Sequence, residues 1–458
     1  MNAEDLSLPW CVALEGGLVR SDLLLESLLV LAKRNAFYLL VALFWLARHG
    51  RTGLRTRVAA RVVLNPAALA YDKELLSRLK SERAQGRALW LCTSGDERLA
   101  NGVAQYLGLF AGVIHGVGVV REASQDEGSA ASGAMRSLRA PSWHAALAQR
   151  FGQGGCHYCA ADPLPNGARL SALLRALRPH QWTKNLLVLV PLFAGHLLGD
   201  LGALLNTGLA LIAFCLCASS VYILNDLLDL EADRGHARKS KRPFASGELS
   251  LATGFVLAPA LLASAIAVAA FLPEKFQLAL AVYYVLTAAY SFVLKRLLLI
   301  DAVALAGLYT LRVIAGAGAA SVALSFWLLL FSVFLFLSLA FVKRYAELDS
   351  LRRQQRLQAI GRGYHVEDLS VLQSLGTAAG YLSVLVLALY INSPDIQALY
   401  HRPKAIWMLC VLLLYWISRV WMTAHRGKMH DDPVVYALKD RVSLVIGLIA
   451  TVTIAVAI

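Results

Sequence analysis

The chain has 458 residues, 58% of them hydrophobic, and a mean hydropathy of +0.57. This excludes an ordinary soluble protein of that length and points to an integral membrane protein. Its formal charge of +14 at pH 7 does not indicate a nucleic-acid partner, because Lys and Arg follow the loops between apolar runs instead of forming a basic stripe.

The chain opens on a polar, acidic stretch, Met1 to Asp5, so no cleavable signal peptide is expected. Residues 1–165 differ in character from the rest. Short buried strands are predicted at 11–14, 88–93 and 157–160, with helical stretches between them, which makes this part an α/β domain. The apolar segment 23–49 is broken by Lys33-Arg34-Asn35 into halves too short to cross a bilayer. It reads as a helical cap resting on the membrane surface. Seven cysteines are scattered, and the spacing of Cys156 and Cys159, without a second such pair, predicts neither a zinc site nor redox chemistry. Pro and Gly residues at 162–167 mark a boundary.

The strand order and the text Val12-Ala13-Leu14-Glu15-Gly16-Gly17 resemble the start of a haloacid-dehalogenase-like (HAD) phosphatase domain, whose pattern is Asp-x-Asp-Gly-Thr. Ala13 stands at the nucleophile position, Glu15 at that of the general acid and Gly17 at that of the Thr. A methyl group cannot attack phosphorus. Thr93 or Ser94 fits the family's phosphate-contacting hydroxyl and Asp162 its last acidic motif, but no Lys occurs between Lys80 and Lys184. The resemblance implies the fold without the phosphatase chemistry, as a structural or regulatory appendage.

From residue 180 onward, apolar runs of roughly 18–22 residues predict about nine membrane helices, at 180–198, 202–224, 251–271, 275–293, 299–319, 322–342, 370–391, 404–423 and 441–458. Basic residues crowd alternate loops: Arg234 to Arg242, then Lys295 and Arg296, then Lys343 to Arg362, then Arg426, Lys428 and Lys439. The positive-inside rule puts these loops and the residues before about 180 on the cytoplasmic side of the plasma membrane.

The second run ends in Asn225-Asp226-Leu-Leu-Asp229-Leu-Glu-Ala-Asp233, followed by Lys239-Ser-Lys241-Arg242. The i, i+3, i+7 spacing places Asp226, Asp229 and Asp233 on one helix face. Oxygen ligands of this kind suit Mg²⁺ completed by substrate phosphates, and Lys239, Lys241 and Arg242 supply charge-assisted donors for the same phosphates. Carboxylates at a helix C-terminus oppose the macrodipole and repel one another, which favours a cation among them over a solvated helix end.

With Arg178-Pro-His-Gln-Trp-Thr-Lys184-Asn185 at the first run, the acidic segment resembles the UbiA superfamily of intramembrane prenyltransferases, whose signature is Asn-Asp-x-x-Asp-x-x-x-Asp. The likeness covers 170–458 and implies a nine-helix bundle with a polar cavity facing the cytoplasm. Ordinary members carry a second aspartate-rich segment after the sixth span. Here that place holds Lys343-Arg344-Tyr-Ala-Glu347-Leu-Asp349, and a basic pair suits a second anion better than a second metal.

This departure, with Tyr290-Ser-Phe-Val-Leu-Lys295 before Asp301 and Leu311-Arg312-Val-Ile-Ala-Gly316, resembles the polyprenyl-phosphate phosphoribosyltransferase branch. That branch implies transfer of 5-phosphoribosyl from phosphoribosyl diphosphate (PRPP) to decaprenyl phosphate, with release of diphosphate, in the supply of arabinose donors for the cell envelope. In that frame Asp226, Asp229 and Asp233, helped by Asn225, hold Mg²⁺ on the leaving group, and Lys239, Lys241 and Arg242 grip it. Lys184 and Asn185 hold a phosphate, while Lys295, Lys343 and Arg344, with Tyr290 and Glu347 beside them, orient the lipid phosphate. Arg312, ionised within a span, is expected to be functional, with Asp301 as its acidic partner otherwise. The loop from His425 through His430, Asp431 and Asp432 to Pro433 reads as a polar connector. Two rivals stay open: transfer of an isoprenoid from a prenyl diphosphate to an aromatic or lipid acceptor, and a non-catalytic transporter or scaffold.

Overall fold

The computed structural model describes residues 9–35, 37–115, 157–159, 166–236, 238–355, 363–393, 400–429 and 432–457. Cys156, Asp162, Arg356, Arg362, His430 and Asp431, each singled out above, lie outside them, as does the side chain of Cys159. Two compact units form, and their division departs from the expected boundary at 162–167. The first joins Met1–Leu177 to Ile223–Leu257, so the acidic segment and its basic loop belong with the N-terminal part; the second is Arg178–Tyr222 with Ala258–Ile458.

In the first unit the expected strands form as β1 (Trp10–Ala13), β2 (Leu89–Thr93) and β4 (His157–Cys159), and Gly112–His115 adds β3. All pair in parallel in the order β3-β2-β1-β4. Three aspartates start the surrounding helices by accepting from free amides of the first turn. Asp22 opens Leu23–Arg34, Asp72 opens Lys73–Ala84 and Asp96 opens Glu97–Leu107. The predicted break in the cap occurs: Asn35 leaves the helical region at φ −157, ψ 117, and a second helical stretch covers Phe37–Ala59 with a kink at Gly50 (φ 64). Val12, Leu18, Leu79, Leu89, Leu91 and Val103 close the core between sheet and helices. Phe37, Leu40, Leu43 and Phe44 stay exposed, an apolar stripe at helical spacing of the sort that beds among lipid headgroups.

Among the described residues six helices are long and apolar enough to cross a membrane, or seven if one pair bent by 80° counts as a span. The expected nine are therefore not reached, for local reasons. Segment 180–198 folds as a 3₁₀ run, Pro179–Leu189, and a short helix, Val190–Ala194, containing Pro191, which has no amide hydrogen to donate. Glu274–Phe292 is helical, but Lys275 and Gln277 in its first turn and the hydroxyl side chains along it leave it outside the six. The last segment, Arg441–Ala457, is one arm of the bent pair with Pro433–Lys439.

Within the second unit close backbone approach sets the packing. A Cβ on Gly316 would stand 2.0 Å from the carbonyl oxygen of Val188, so only glycine lets helix Ile300–Ala320 touch the segment that carries Lys184 and Asn185. Gly316→Ala is expected to lower stability by about 1–3 kcal/mol through this overpacking, read as a fall in thermal midpoint in detergent.

Candidate active site

The acidic segment begins inside a regular helix and ends outside it. Leu201–Leu228 carries Asn225 and Asp226; at Asp229 the backbone turns to φ −103, ψ 17 and a short helix, Leu230–Arg234, follows. The amides of Asp229 and Asp233 still donate to the carbonyls four residues back, at 2.9 and 2.8 Å. Asp226 and Asp233 are buried, at 2% exposure each, and both accept from Nη1 of Arg242, at 3.2 and 2.5 Å. Asp229 pairs with Lys33 at 3.4 Å. Lys239 and Lys241 are exposed on the turn that leads to Arg242.

Among the described residues no three His, Cys, Asp or Glu side chains form a metal cage, so the expected three-carboxylate site is not assembled by the protein alone. The donor set nevertheless fits Mg²⁺. That ion is held by one or two carboxylates and completed by waters and substrate phosphates, and Asp226 and Asp233 already converge on one centre of positive charge, the Arg242 guanidinium.

In the second unit the expected phosphate ligands separate into two groups. Lys184 Nζ and Lys343 Nζ donate to the same carboxylate oxygen of Asp432, at 2.8 and 3.0 Å, and the Tyr309 hydroxyl donates to both oxygens, at 3.0 and 3.2 Å. Burial alone would raise the Asp432 carboxyl, but Lys343 and Lys184 outweigh it and hold it well below the usual carboxylate range. Beside this cluster lies Arg312, whose Nε donates to Asn185 Oδ1 at 2.9 Å and whose Nη2 donates to the Tyr283 hydroxyl at 2.9 Å. The proposed Asp301 partner of Arg312 is thereby corrected. The loop at 425–433, read as a plain connector, instead contributes Asp432 as the acceptor at the centre of the cluster.

Arg344 belongs to the other group. Its side chain is 1% exposed and pairs with Asp301 at 2.7 Å and with Glu347, while Nη2 donates to Tyr290 at 3.3 Å. Tyr364 donates to Asp301 as well. Arg344 thus neutralises the buried Asp301, and Glu347 and Tyr290 are its other partners. Lys295 is half-buried in the turn Leu294–Arg296.

The apolar spans, the acidic segment and the basic text in place of a second one agree with a wider pattern: the sequence signature described as the UbiA prenyltransferase family matches residues 188–439. The chain belongs to this family. An uncharacterized protein, y4nM, of Sinorhizobium fredii is 34% identical over 97% of this chain and 90% of its own length. The decaprenyl-phosphate phosphoribosyltransferase of Mycolicibacterium smegmatis is 32% identical over 60% of this chain and 88% of its own. A solved structure of a UbiA homolog from Archaeoglobus fulgidus, bound to GPP and Mg²⁺, aligns over 62% of this chain and 98% of that chain at 18% identity, with a TM-score of 0.49. Family membership and the six apolar helices make this an integral membrane UbiA-type transferase, similar to the phosphoribosyltransferase branch.

Sequence reasoning missed Asp432, Tyr309, Arg234 and Lys33. An aspartate directly before a proline, at the mouth of a span, offers a weak signal for the first of these. The others are ordinary residues whose partners lie tens to hundreds of positions away.

Proposed function

We propose that this protein transfers 5-phosphoribosyl from PRPP to a polyprenyl phosphate, at the cytoplasmic face implied by its charge distribution. One observation carries the reading. Where a second metal-binding acidic segment would serve a prenyl diphosphate, Lys343 stands with Lys184 around a single carboxylate, Asp432, a cation-rich cluster suited to an anionic acceptor. The kinship with decaprenyl-phosphate phosphoribosyltransferase from Mycolicibacterium smegmatis supports the same donor and acceptor.

In the reaction an oxygen of the lipid phosphate forms a bond to ribose C1 as the bond from C1 to the diphosphate oxygen breaks, and the electron pair leaves with diphosphate. The attacking oxygen is already anionic, so no general base is needed and positioning matters most. Lys184 and Lys343 orient that phosphate. Asp226 and Asp233 would hold Mg²⁺, which when bound offsets the charge that builds on the leaving diphosphate. Lys239, Lys241 and Arg242 provide cations for the same group. The N-terminal part, with Ala13 where a phosphatase nucleophile would stand, is a HAD-like fold without that chemistry.

The deciding assay supplies membranes with labelled polyprenyl phosphate and either PRPP or a prenyl diphosphate. A lipid product that retains ribose phosphate is expected with PRPP, and prenylation of a ring acceptor in its place would overturn the assignment. Lys343→Met is expected to raise KM for polyprenyl phosphate about tenfold, the loss of one charge-assisted contact, with little change in KM for PRPP.

A further inference from the structure

Arg234 ends the short helix that carries Asp233, and a positive-inside reading would leave it as solvated loop charge. It is instead engaged through its whole guanidinium. Its guanidinium has five N–H donors, and five acceptors meet them. Nε donates to the Ala245 carbonyl at 3.0 Å. Nη1 donates to Glu26 Oε2 at 3.1 Å and to the Ala68 carbonyl at 2.9 Å. Nη2 donates to Glu26 Oε1 at 2.6 Å and to Ser21 Oγ at 3.5 Å. The Arg234 and Glu26 side chains are 8% and 6% exposed. With every donor used, Arg234 has nothing left for a phosphate; it is a latch between the acidic segment and the N-terminal α/β part.

The latch has a second arm. Glu26 and Lys33 lie seven residues apart on helix Leu23–Arg34, so they share one face. Glu26 grips Arg234, and Lys33 reaches Asp229, with Nζ 3.4 Å from Oδ1. Arg175 pairs with Glu248 on the far side of the same loop, and the Cα of Gly247 packs so closely on Arg20 that a Cβ there would come within 2.7 Å of that side chain. The acidic segment is therefore clamped at both flanks by the N-terminal part, and the clamp brings in one exposed ammonium, Lys33, at Asp229.

We propose that Lys33 is a ligand of the diphosphate bound at the acidic segment, and that Glu26, through Arg234, is the positioning residue that keeps it there. The N-terminal α/β part then completes the diphosphate site, in addition to any regulatory task. This rests on the reading of Asp226 and Asp233 as a Mg²⁺ and diphosphate platform, but not on which diphosphate donor is used.

The test measures binding of inorganic pyrophosphate with Mg²⁺ to the purified full-length protein in detergent, alongside its thermal midpoint. Lys33→Met is expected to weaken pyrophosphate binding about tenfold with the midpoint unchanged, since Lys33 is exposed. Glu26→Gln is expected to weaken binding and to speed amide hydrogen exchange across 225–242. If Asp226→Asn abolishes binding while Lys33→Met matches the parent, the inference about Lys33 fails and the platform stands. If Asp226→Asn has no effect, or pyrophosphate does not bind at all, both fail.

Discussion

Asp226→Asn protein is expected to fold normally and to lose about a hundredfold or more of its transfer rate, the scale reported when one electrostatic contributor to a transition state is removed. The substitution keeps the shape of the side chain and an oxygen that can still accept from Arg242. Asp233 continues to pair with that guanidinium at 2.5 Å, so no buried cation is left alone and the thermal midpoint should move little. What is lost is one of two negative charges that converge on a single point. Mg²⁺ bound there would then be held by one carboxylate, and residual activity should require a higher Mg²⁺ concentration. The measurement is initial rate against Mg²⁺ concentration with PRPP and polyprenyl phosphate. A variant that keeps more than a tenth of the parent rate would remove Asp226 from the reaction.

Arg344→Met should do the opposite, damaging the fold far more than the ligand site. Arg344 is almost wholly buried and neutralises Asp301, itself fully buried. Breaking a buried pair from one side leaves an uncompensated charge and costs about 3–5 kcal/mol. The readout is the thermal midpoint and the yield of monodisperse protein in detergent. Adding Asp301→Asn to Arg344→Met should recover part of the loss, because the second change removes the stranded carboxylate. A direct phosphate ligand would behave differently: stability would hold, affinity for the lipid phosphate would fall, and Asp301→Asn would rescue nothing. The neighbouring Lys343, by contrast, is expected to show that second behaviour.

The contrast between adjacent residues marks where sequence reasoning stops. Lys343-Arg344 reads as a basic pair with one purpose, yet successive positions on a helix point about 100° apart. Lys343 turns to Asp432 and Arg344 to Asp301. Arg312 and Asp301 share a helix and invite pairing on paper, but partners from other segments, Asn185 and Tyr283 for one and Arg344 and Tyr364 for the other, are closer in space. In the same way Asp229 shares a face with its neighbours on an ideal helix, and a change of backbone direction at that residue hands it to Lys33.

Composition and periodicity by themselves determined that the chain is a membrane protein, that its first 165 residues include short strands near 10, 90 and 157, and that acid meets base at 225–242. These properties are local: hydropathy, strand length and i, i+3, i+7 spacing depend on residues within a few turns of one another. The allegiance of the acidic segment to the N-terminal part, the Arg234 latch and the place of Asp432 were decided only by tertiary structure. Each depends on pairs such as Glu26 with Arg234 or Lys184 with Asp432, 208 and 248 positions apart. Which buried charge finds which partner is settled by the cost of leaving any of them unpaired, and that cost is shared across the whole fold.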